Sequence, residues 1–282
     1  MHQTRWIKKL LKAHAPTVIS FMPNVLLGFI EPMINSDYKR PLFAKSSFVR
    51  EFELELAGLD FVFLSGPSDD YFNNLRVMFQ PASSAYLNKW IEVSGRSQTA
   101  VDVGSYTGLF SILGALAGAN VIAFEPNRYV FERMKANIER NQLKDLVTLN
   151  PVALGDTMSF SRTLIPKNQL YSSGMQLEYS PTERNLSAWV LSDPVKVSTL
   201  DTELRHLNSS VSALKIDAEG FELEILKGGE NLLMDHKPTI FLECLSSDRL
   251  EQCISYINSI GIQIHNIDYV DKEHNNYIIY LI

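Results

Sequence analysis

From Thr99 onward, short apolar runs alternate with segments whose apolar residues recur at helical spacing. That alternation predicts a parallel sheet covered by helices on both faces. Thr99 to Val103 reads as the first strand, and Leu109, Ile112, Leu113 and Leu116 (i, i+3, i+4, i+7) mark a helix that stops at Gly118. Val121 to Phe124 is a second strand, halted by Glu125-Pro126. Asn127 can cap the next helix, whose Val130, Met134 and Ile138 face inward. Val147 to Leu154 reads as a third strand, and residues 157 to 195 lose periodicity. Ser198 to Leu207 reads as helix, then Val211 to Ile216 as strand, Phe221 to Met234 as helix, Thr239 to Cys244 as strand and Asp248 to Ser259 as helix. Ile262 to Ile267 and Tyr277 to Ile282 close the chain as a hairpin.

The first 95 residues follow a different pattern. Trp6, Ile7, Leu10 and Leu11 recur at helical spacing among Arg5, Lys8, Lys9 and Lys12, which predicts an amphipathic helix that either caps the main domain or lies on a membrane surface. Phe48, Phe52, Leu54, Leu56, Phe61 and Phe63 alternate around Gly58 between Ser46 and Leu64, a β-hairpin pattern. Tyr71 to Val93 reads as helix, ended by the turn Gly95-Arg96-Ser97. The chain therefore divides into an N-terminal accessory region of helix and hairpin, 1–95, and an α/β domain, 96–282.

Composition narrows the classes without naming one. With 282 residues, 45% hydrophobic and 21% charged, the chain is an ordinary globular protein, which excludes disordered and fibrous architectures. The net charge of −6, with no long basic block, argues against holding nucleic acid through phosphate contacts. Cys244 and Cys253 are too few for a zinc cluster or a disulfide scaffold, so a cytoplasmic location is expected. The stretch Ala13 to Ile30 lacks charge, but Pro16, Pro23, Asn24 and Gly28 weaken a transmembrane reading, and no small-residue cleavage site follows the basic start.

The candidate chemistry begins at Asp102-Val103-Gly104-Ser105-Tyr106-Thr107-Gly108, where a strand turns into a helix. Glycines at 104 and 108 let backbone approach a ligand, at the place where open α/β sheets bind one. Glu125 ends the next strand, 21 residues after Gly104, where a carboxylate can accept from both ribose hydroxyls. A dinucleotide needs G-x-G-x-x-G, and Tyr106 stands at the second glycine position. Asp102 instead suits a cationic end, so Asp102 and Glu125 match the two polar ends of S-adenosylmethionine. The second constellation is Lys215-Ile216-Asp217-Ala218-Glu219-Gly220. Strand alternation puts Lys215, Asp217 and Glu219 on one side if the strand persists that far, and Glu243 ends the following strand on the same rim.

These residues, in this order, resemble the FkbM-type methyltransferases, a class I S-adenosylmethionine-dependent family. The resemblance is carried by Val101-Asp102-Val103-Gly104, Phe124-Glu125-Pro126-Asn127, Asn137, Asn141, Val152-Ala153-Leu154-Gly155-Asp156, Leu200-Asp201, the Lys215–Gly220 run, Leu226-Lys227-Gly228 and Glu243, over about residues 97–245. It implies a Rossmann-like class I methyltransferase sheet of seven strands, mostly parallel with the last antiparallel, behind the N-terminal helix and hairpin layer. It further implies that Asp102, Gly104 and Glu125 hold the cofactor, with Gly108 in the same turn and Ala153 near adenine. Relatives tend to read Asp-Val-Gly-Ala-Asn where this chain has Asp102-Val103-Gly104-Ser105-Tyr106.

The expected reaction is transfer of the activated methyl group to an acceptor oxygen. Asp217 and Glu219 are the candidates for orienting the acceptor and removing its proton, and Lys215 for stabilising oxygen charge or pairing with them. Asp217 can alternatively bind the cofactor's amino group, and Asp217, Glu219 and Glu243 can alternatively hold a divalent metal, although the reading adopted has none. Tyr171, Tyr179 and Trp189 in the aperiodic segment can stack on a sugar, or simply pack. The family's association with hydroxyl methylation favours a saccharide or small-molecule acceptor. A non-catalytic S-adenosylmethionine-binding module and a nucleotide-dependent oxidoreductase are the rival readings.

Overall fold

A computed structural model describes residues 49–65, 81–95, 98–166, 176–177, 189–271 and 275–282. The chain runs β1 (Arg50–Leu56), β2 (Leu59–Ser65), α1 (Pro81–Ser94), β3 (Thr99–Val103), α2 (Leu109–Leu116), β4 (Asn120–Phe124), α3 (Arg128–Arg140) and β5 (Val147–Asn150). There follow β6 (Ala153–Leu154), β7 (Ser159–Ser161), β8 (Thr163–Pro166), β9 (Gln176–Leu177), β10 (Trp189–Leu191), β11 (Val195–Ser198) and α4 (Leu200–Leu204). The last part is β12 (Val211–Ile216), α5 (Glu222–Lys227), α6 (Glu230–His236), β13 (Thr239–Glu243), α7 (Ser247–Ser259), β14 (Ile264–Asp271) and β15 (Asn276–Leu281).

The main sheet has seven strands in the order β14-β15-β13-β12-β3-β4-β5. Five are parallel, and β15 runs antiparallel to both β13 and β14. The chain leaves β3 toward β4 and β5, then returns to build β12 and β13 on the other side. The carboxyl ends of β3 and β12 therefore flank the point where strand order reverses, and a crevice opens there.

Because the sheet is covered on both sides, its central strands are mostly apolar, with Asp102 on β3 and Lys215 on β12 as buried charged exceptions. Ala100, Ala123, Ala213, Phe241 and Ile278 face α1, α2, α3 and the β1–β2 hairpin in one cluster. Val101, Val103, Leu214, Ile216, Ile240 and Leu242 face α5, α6 and α7 in the other. The three alanines leave room on the first face for aromatic rings. Tyr86 and Trp90 of α1 meet Phe110 and Phe241 edge-on at 5.3–5.9 Å between centroids, and the Trp90 indole N–H donates to the Phe110 carbonyl at 2.9 Å.

Several elements differ from the sequence reading, each for a local reason. The expected strand from Val147 to Leu154 is cut at Pro151, which has no N–H to continue a ladder. β5 ends at Asn150, and Ala153–Leu154 pairs instead with β11. The expected helix from Phe221 to Met234 is broken at Gly228-Gly229, where a Cβ on Gly228 would run into the Gly155 carbonyl. In place of a helix from Ser198 there is β11 and then the short α4, capped by the Thr199 hydroxyl accepting from Thr202 N–H. The aperiodic segment contains the strands β7 to β10. The hairpin is present, turning through Ala57 and Gly58, both at positive φ. Of the helix expected from Tyr71, the part from Pro81 is described. Residues 71–80, 96–97, the basic N-terminal helix, Tyr171 and Tyr179 lie outside the described residues, as does the Trp189 side chain. Among the described residues no helix is long and apolar enough to cross a membrane.

Candidate active site

The turn after β3 is held from several directions. Gly104 and Ser105 N–H both donate to the Phe124 carbonyl, and the Ser105 hydroxyl donates to Asp102 O at 2.6 Å. Gly104, Tyr106 and Gly108 all have positive φ, at 72°, 49° and 92°. The sequence reading gave the two glycines to a ligand, but the structure shows the chain itself filling the space beside them. A Cβ on Gly104 would strike the Asp217 carbonyl oxygen, and one on Gly108 would lie 2.9 Å from Met134 Cγ.

Asp102 is fully buried. One carboxylate oxygen accepts from the Ser111 hydroxyl at 2.7 Å, and the other lies 3.5 Å from Lys215 Nζ. Its register neighbour on β12 is Lys215, which explains the pairing. Asp102 therefore has no surface to offer a cationic ligand end directly, and what it holds is Lys215.

Glu125 ends β4 beside this turn and is only 5% exposed. Its two oxygens accept from Tyr106 N–H at 2.9 Å and Asn127 N–H at 2.8 Å. Burial raises its pKa to about 8, against the lowering effect of those two backbone donors. Ala153 is buried in the cluster that includes Val103 and Phe124. Beyond the ends of β4 and β5 lies a cavity of about 320 Å³, lined by Pro126, Tyr129, Pro151, Leu191, Pro194 and Lys196 among others. An exposed ion pair, Arg128–Asp193 at 2.7 Å, ties the start of α3 to the β10–β11 turn at this cavity.

At the end of β12, Lys215 is 4% exposed and donates to the Gly104 carbonyl at 3.0 Å, pairing also with Asp217 at 3.4 Å. Its ammonium lies 5.0 Å above the Phe110 ring. Burial works against its charge, but the Asp217, Asp102 and Glu243 carboxylates outweigh it and hold the lysine above its ordinary pKa. Asp217 is more open, with 34% of its side chain exposed. Burial pushes the Glu243 carboxyl well above the usual range, with the Asp217 charge adding to it and Lys215 opposing.

The alternation expected through Glu219 fails, because β12 ends at Ile216 and the chain turns through Glu219 and Gly220, at φ 52° and 103°. Glu219 thus reaches the rim by a turn and shares no strand face with Lys215. That turn is clamped at Gly220, whose N–H donates to Glu222 at 2.8 Å and whose carbonyl accepts from Arg249. Arg249 is fixed in turn by Glu224 at 2.7 Å. Among the described residues, no group of three His, Cys, Asp or Glu side chains converges as the ligand set of a metal ion would.

Sequence reasoning missed Glu222, Arg249 and Tyr86. Burial, then the Glu243 and Asp217 carboxylates, push the Tyr86 phenol well above its usual pKa, which puts this α1 residue in the same electrostatic site. The first two carried a faint signal, since a turn built on positive φ needs partners for its backbone. Tyr86 carried none, because nothing in the chain order says that α1 lies over β12.

No curated protein matches the chain. A methyltransferase FkbM from Methylobacillus flagellatus KT is 19% identical with a TM-score of 0.47, covering 76% of this chain and 55% of that one, so this chain spans about half its length. A precorrin-6y C5,15-methyltransferase from Geobacter metallireducens GS-15 is 13% identical with a TM-score of 0.41, over 69% of this chain and 86% of that one. The tRNA (uracil-54, C5)-methyltransferase of Pyrococcus abyssi, solved in complex with S-adenosyl-L-homocysteine, is 16% identical with a TM-score of 0.42, over 82% and 44%. The family model of the methyltransferase FkbM domain matches residues 102–279, which run from within β3 to within β15 and include every candidate residue except Tyr86. On that match, and with its class I methyltransferase sheet, this chain belongs to the FkbM methyltransferase family.

Proposed function

We propose that the chain is an S-adenosylmethionine-dependent O-methyltransferase acting on a hydroxyl of a sugar, glycan or natural product in the cytoplasm. The observation that carries this reading is Glu125. Each of its oxygens uses one lone pair on a backbone N–H, which leaves acceptors for the two hydroxyls of a ribose. A carboxylate, with no phosphate-binding glycine at Tyr106, fits a mononucleoside better than a dinucleotide. The two cysteines, both buried free thiols, suit a reducing compartment.

When bound, the cofactor supplies an electrophilic methyl group on a sulfonium. Glu125 and the turn from Gly104 to Gly108 would hold its nucleoside, and Ala153 is the candidate for the base. Asp217, half-open at the rim, would take the proton of an acceptor hydroxyl attacking that methyl group. Lys215 is too buried to meet the acceptor; with Asp102 behind it, it holds Asp217 in place. Glu219 and Glu243 orient the acceptor. Titration calorimetry tests the reading directly, with heat expected from S-adenosylmethionine and none from NAD. The reverse result would make the chain an oxidoreductase. Asp217→Asn should keep binding and lose about 10²-fold or more in turnover; binding with no turnover by the unaltered protein on any hydroxylated acceptor would leave the non-catalytic module.

Burial makes the same binding pH-dependent. Ribose hydroxyls donate to the charged form of Glu125, so they lower a pKa that stands at about 8 without them. S-adenosylmethionine affinity should therefore rise with pH between 6 and 8 and level off above, with release of up to about one proton per site. Calorimetry in phosphate and in Tris measures that proton. Affinity that stays flat from pH 6 to 9 would remove Glu125 from the ribose.

A further inference from the structure

Asn137 sits in the middle of α3, fully buried, one position before the core residue Ile138 and three after Met134. An amide there is costly unless all its groups are satisfied. They are satisfied by two different parts of the chain. Its carbonyl oxygen accepts from Leu64 N–H on β2 at 2.6 Å, and its amide nitrogen donates to Leu64 O at 3.4 Å and to Thr107 O at 2.9 Å. One helical turn later, Asn141 repeats the pattern on Val62, accepting at 2.8 Å and donating at 2.7 Å. Asn141 also donates to the Asn137 backbone carbonyl at 2.8 Å, and among the described residues none of its hydrogen bonds reaches the turn after β3.

The spacing explains the match. Residues i and i+4 of a helix are about 6 Å apart along its axis, and residues i and i+2 of a strand about 6.6 Å. Two asparagines on α3 therefore present donors and acceptors at strand spacing and cover the edge of β2 as a neighbouring strand would. Arg140 adds a two-pronged ion pair to Glu51 on β1, both contacts at 2.7 Å.

We propose that Asn137 is a positioning residue for the cofactor turn, and that the N-terminal hairpin is the brace against which it holds Thr107. Three of the five residues from Gly104 to Gly108 adopt positive φ, one of them the non-glycine Tyr106, and such a conformation persists only when its surroundings fix it. Thr107 O is fixed from α3, and the amide that fixes it is itself aligned by Leu64. The hairpin lies outside the matched segment 102–279, so a region without a catalytic group sets the geometry of one that binds ligand. The part of this inference that concerns affinity rests on S-adenosylmethionine being the ligand.

The test compares Asn137→Asp with Asn141→Asp. Each keeps the acceptor for β2 and loses the donor, but only the first donor reaches Thr107. Hydrogen exchange is read without ligand, at the amide of Gly108, which donates to Ser105 O inside the turn. Asn137→Asp should speed Gly108 exchange and weaken S-adenosylmethionine binding, each by about tenfold, the worth of one buried hydrogen bond. Asn141→Asp should loosen the Val62 amide and leave Gly108 exchange and affinity within about twofold. Equal profiles for the two variants would overturn the proposal. If the unaltered protein binds no S-adenosylmethionine, the cofactor reading fails while Gly108 exchange still judges the brace. Should Asn137→Asp not fold, the double variant Glu51→Ala/Asn141→Ala removes the ion pair to β1 and the Val62 bonds and so loosens the hairpin with Asn137 intact. Faster Gly108 exchange is then expected, and unchanged exchange overturns the brace.

Discussion

Gly104→Ala is expected to destabilise the protein by about 3–5 kcal/mol, a large part of the roughly 5–15 kcal/mol that holds a domain together. Two costs combine. The residue has φ 72°, where an L side chain is strained by roughly 1–3 kcal/mol. Its Cβ would also overlap the Asp217 carbonyl, which is backbone and is itself anchored by Asp217 N–H donating to Val103 O. Gly58→Ala separates the two costs. That glycine has φ 78° and nothing within 4 Å of an added Cβ, so it reports backbone strain alone. Denaturant unfolding of both variants measures the difference. If Gly104→Ala costs no more than Gly58→Ala, the contact between the two strand-end turns is softer than described. Where Gly104→Ala does fold, the displaced atom belongs to Asp217, and turnover should fall further than stability.

Lys215→Met should cost about 3–5 kcal/mol, because it leaves Asp102 as a fully buried charge with only the Ser111 hydroxyl to hold it. The informative variant is the double one, Lys215→Met/Asp102→Asn, in which neither charge remains. Recovery of a large share of the lost stability is expected there, and a double variant no more stable than Lys215→Met would show that packing, not charge, is responsible. The pH dependence has a definite sign. The folded-state pKa of Lys215 is raised, so the stability it contributes is fully present below the ordinary 10.5 and is lost as pH rises from there through the raised value. Between about pH 10 and 12 the unaltered protein should lose more stability than Lys215→Met, which keeps only the alkaline loss owed to buried phenols such as Tyr86.

The sheet was legible because its strands are buried on both faces and read as short, mostly apolar runs, and because Gly118 and Asn127 punctuate them. The placement of Gly104 and Glu125 just after β3 and β4 was legible for a related reason, since a strand end followed by a helix start leaves few places for them to go. What failed was contact across strands. Asp102 and Lys215 each stand out as a charge in an apolar run, yet only the strand order, which is not written locally, shows them to be side by side on β3 and β12. Gly104 reads in the sequence as room for a ligand, and Gly228 as a position inside a helix; both are in fact close approaches of backbone to backbone. Glu219 was misplaced because alternation was carried one turn beyond the last paired residue, Ile216. The Val147 and Phe221 segments were overextended for similar reasons, where Pro151 and the glycine pair interrupt a favourable pattern.

The hydrophobic cluster under the Tyr86 and Trp90 rings has a consequence for modularity. It joins Phe52, Phe61 and Phe63 of the hairpin and Leu87 of α1 to Ala100, Ala213 and Phe241 of the sheet without interruption. The pattern of the sequence changes at residue 95, but the packing does not. A segment trimmed to the family match would keep its strands, its Glu125 and its Lys215, and would present a bare apolar sheet face to water where α1 had been. In such a fold the catalytic part cannot be moved between proteins as a cassette; whatever precedes it must travel with it or be replaced by another cover of the same shape.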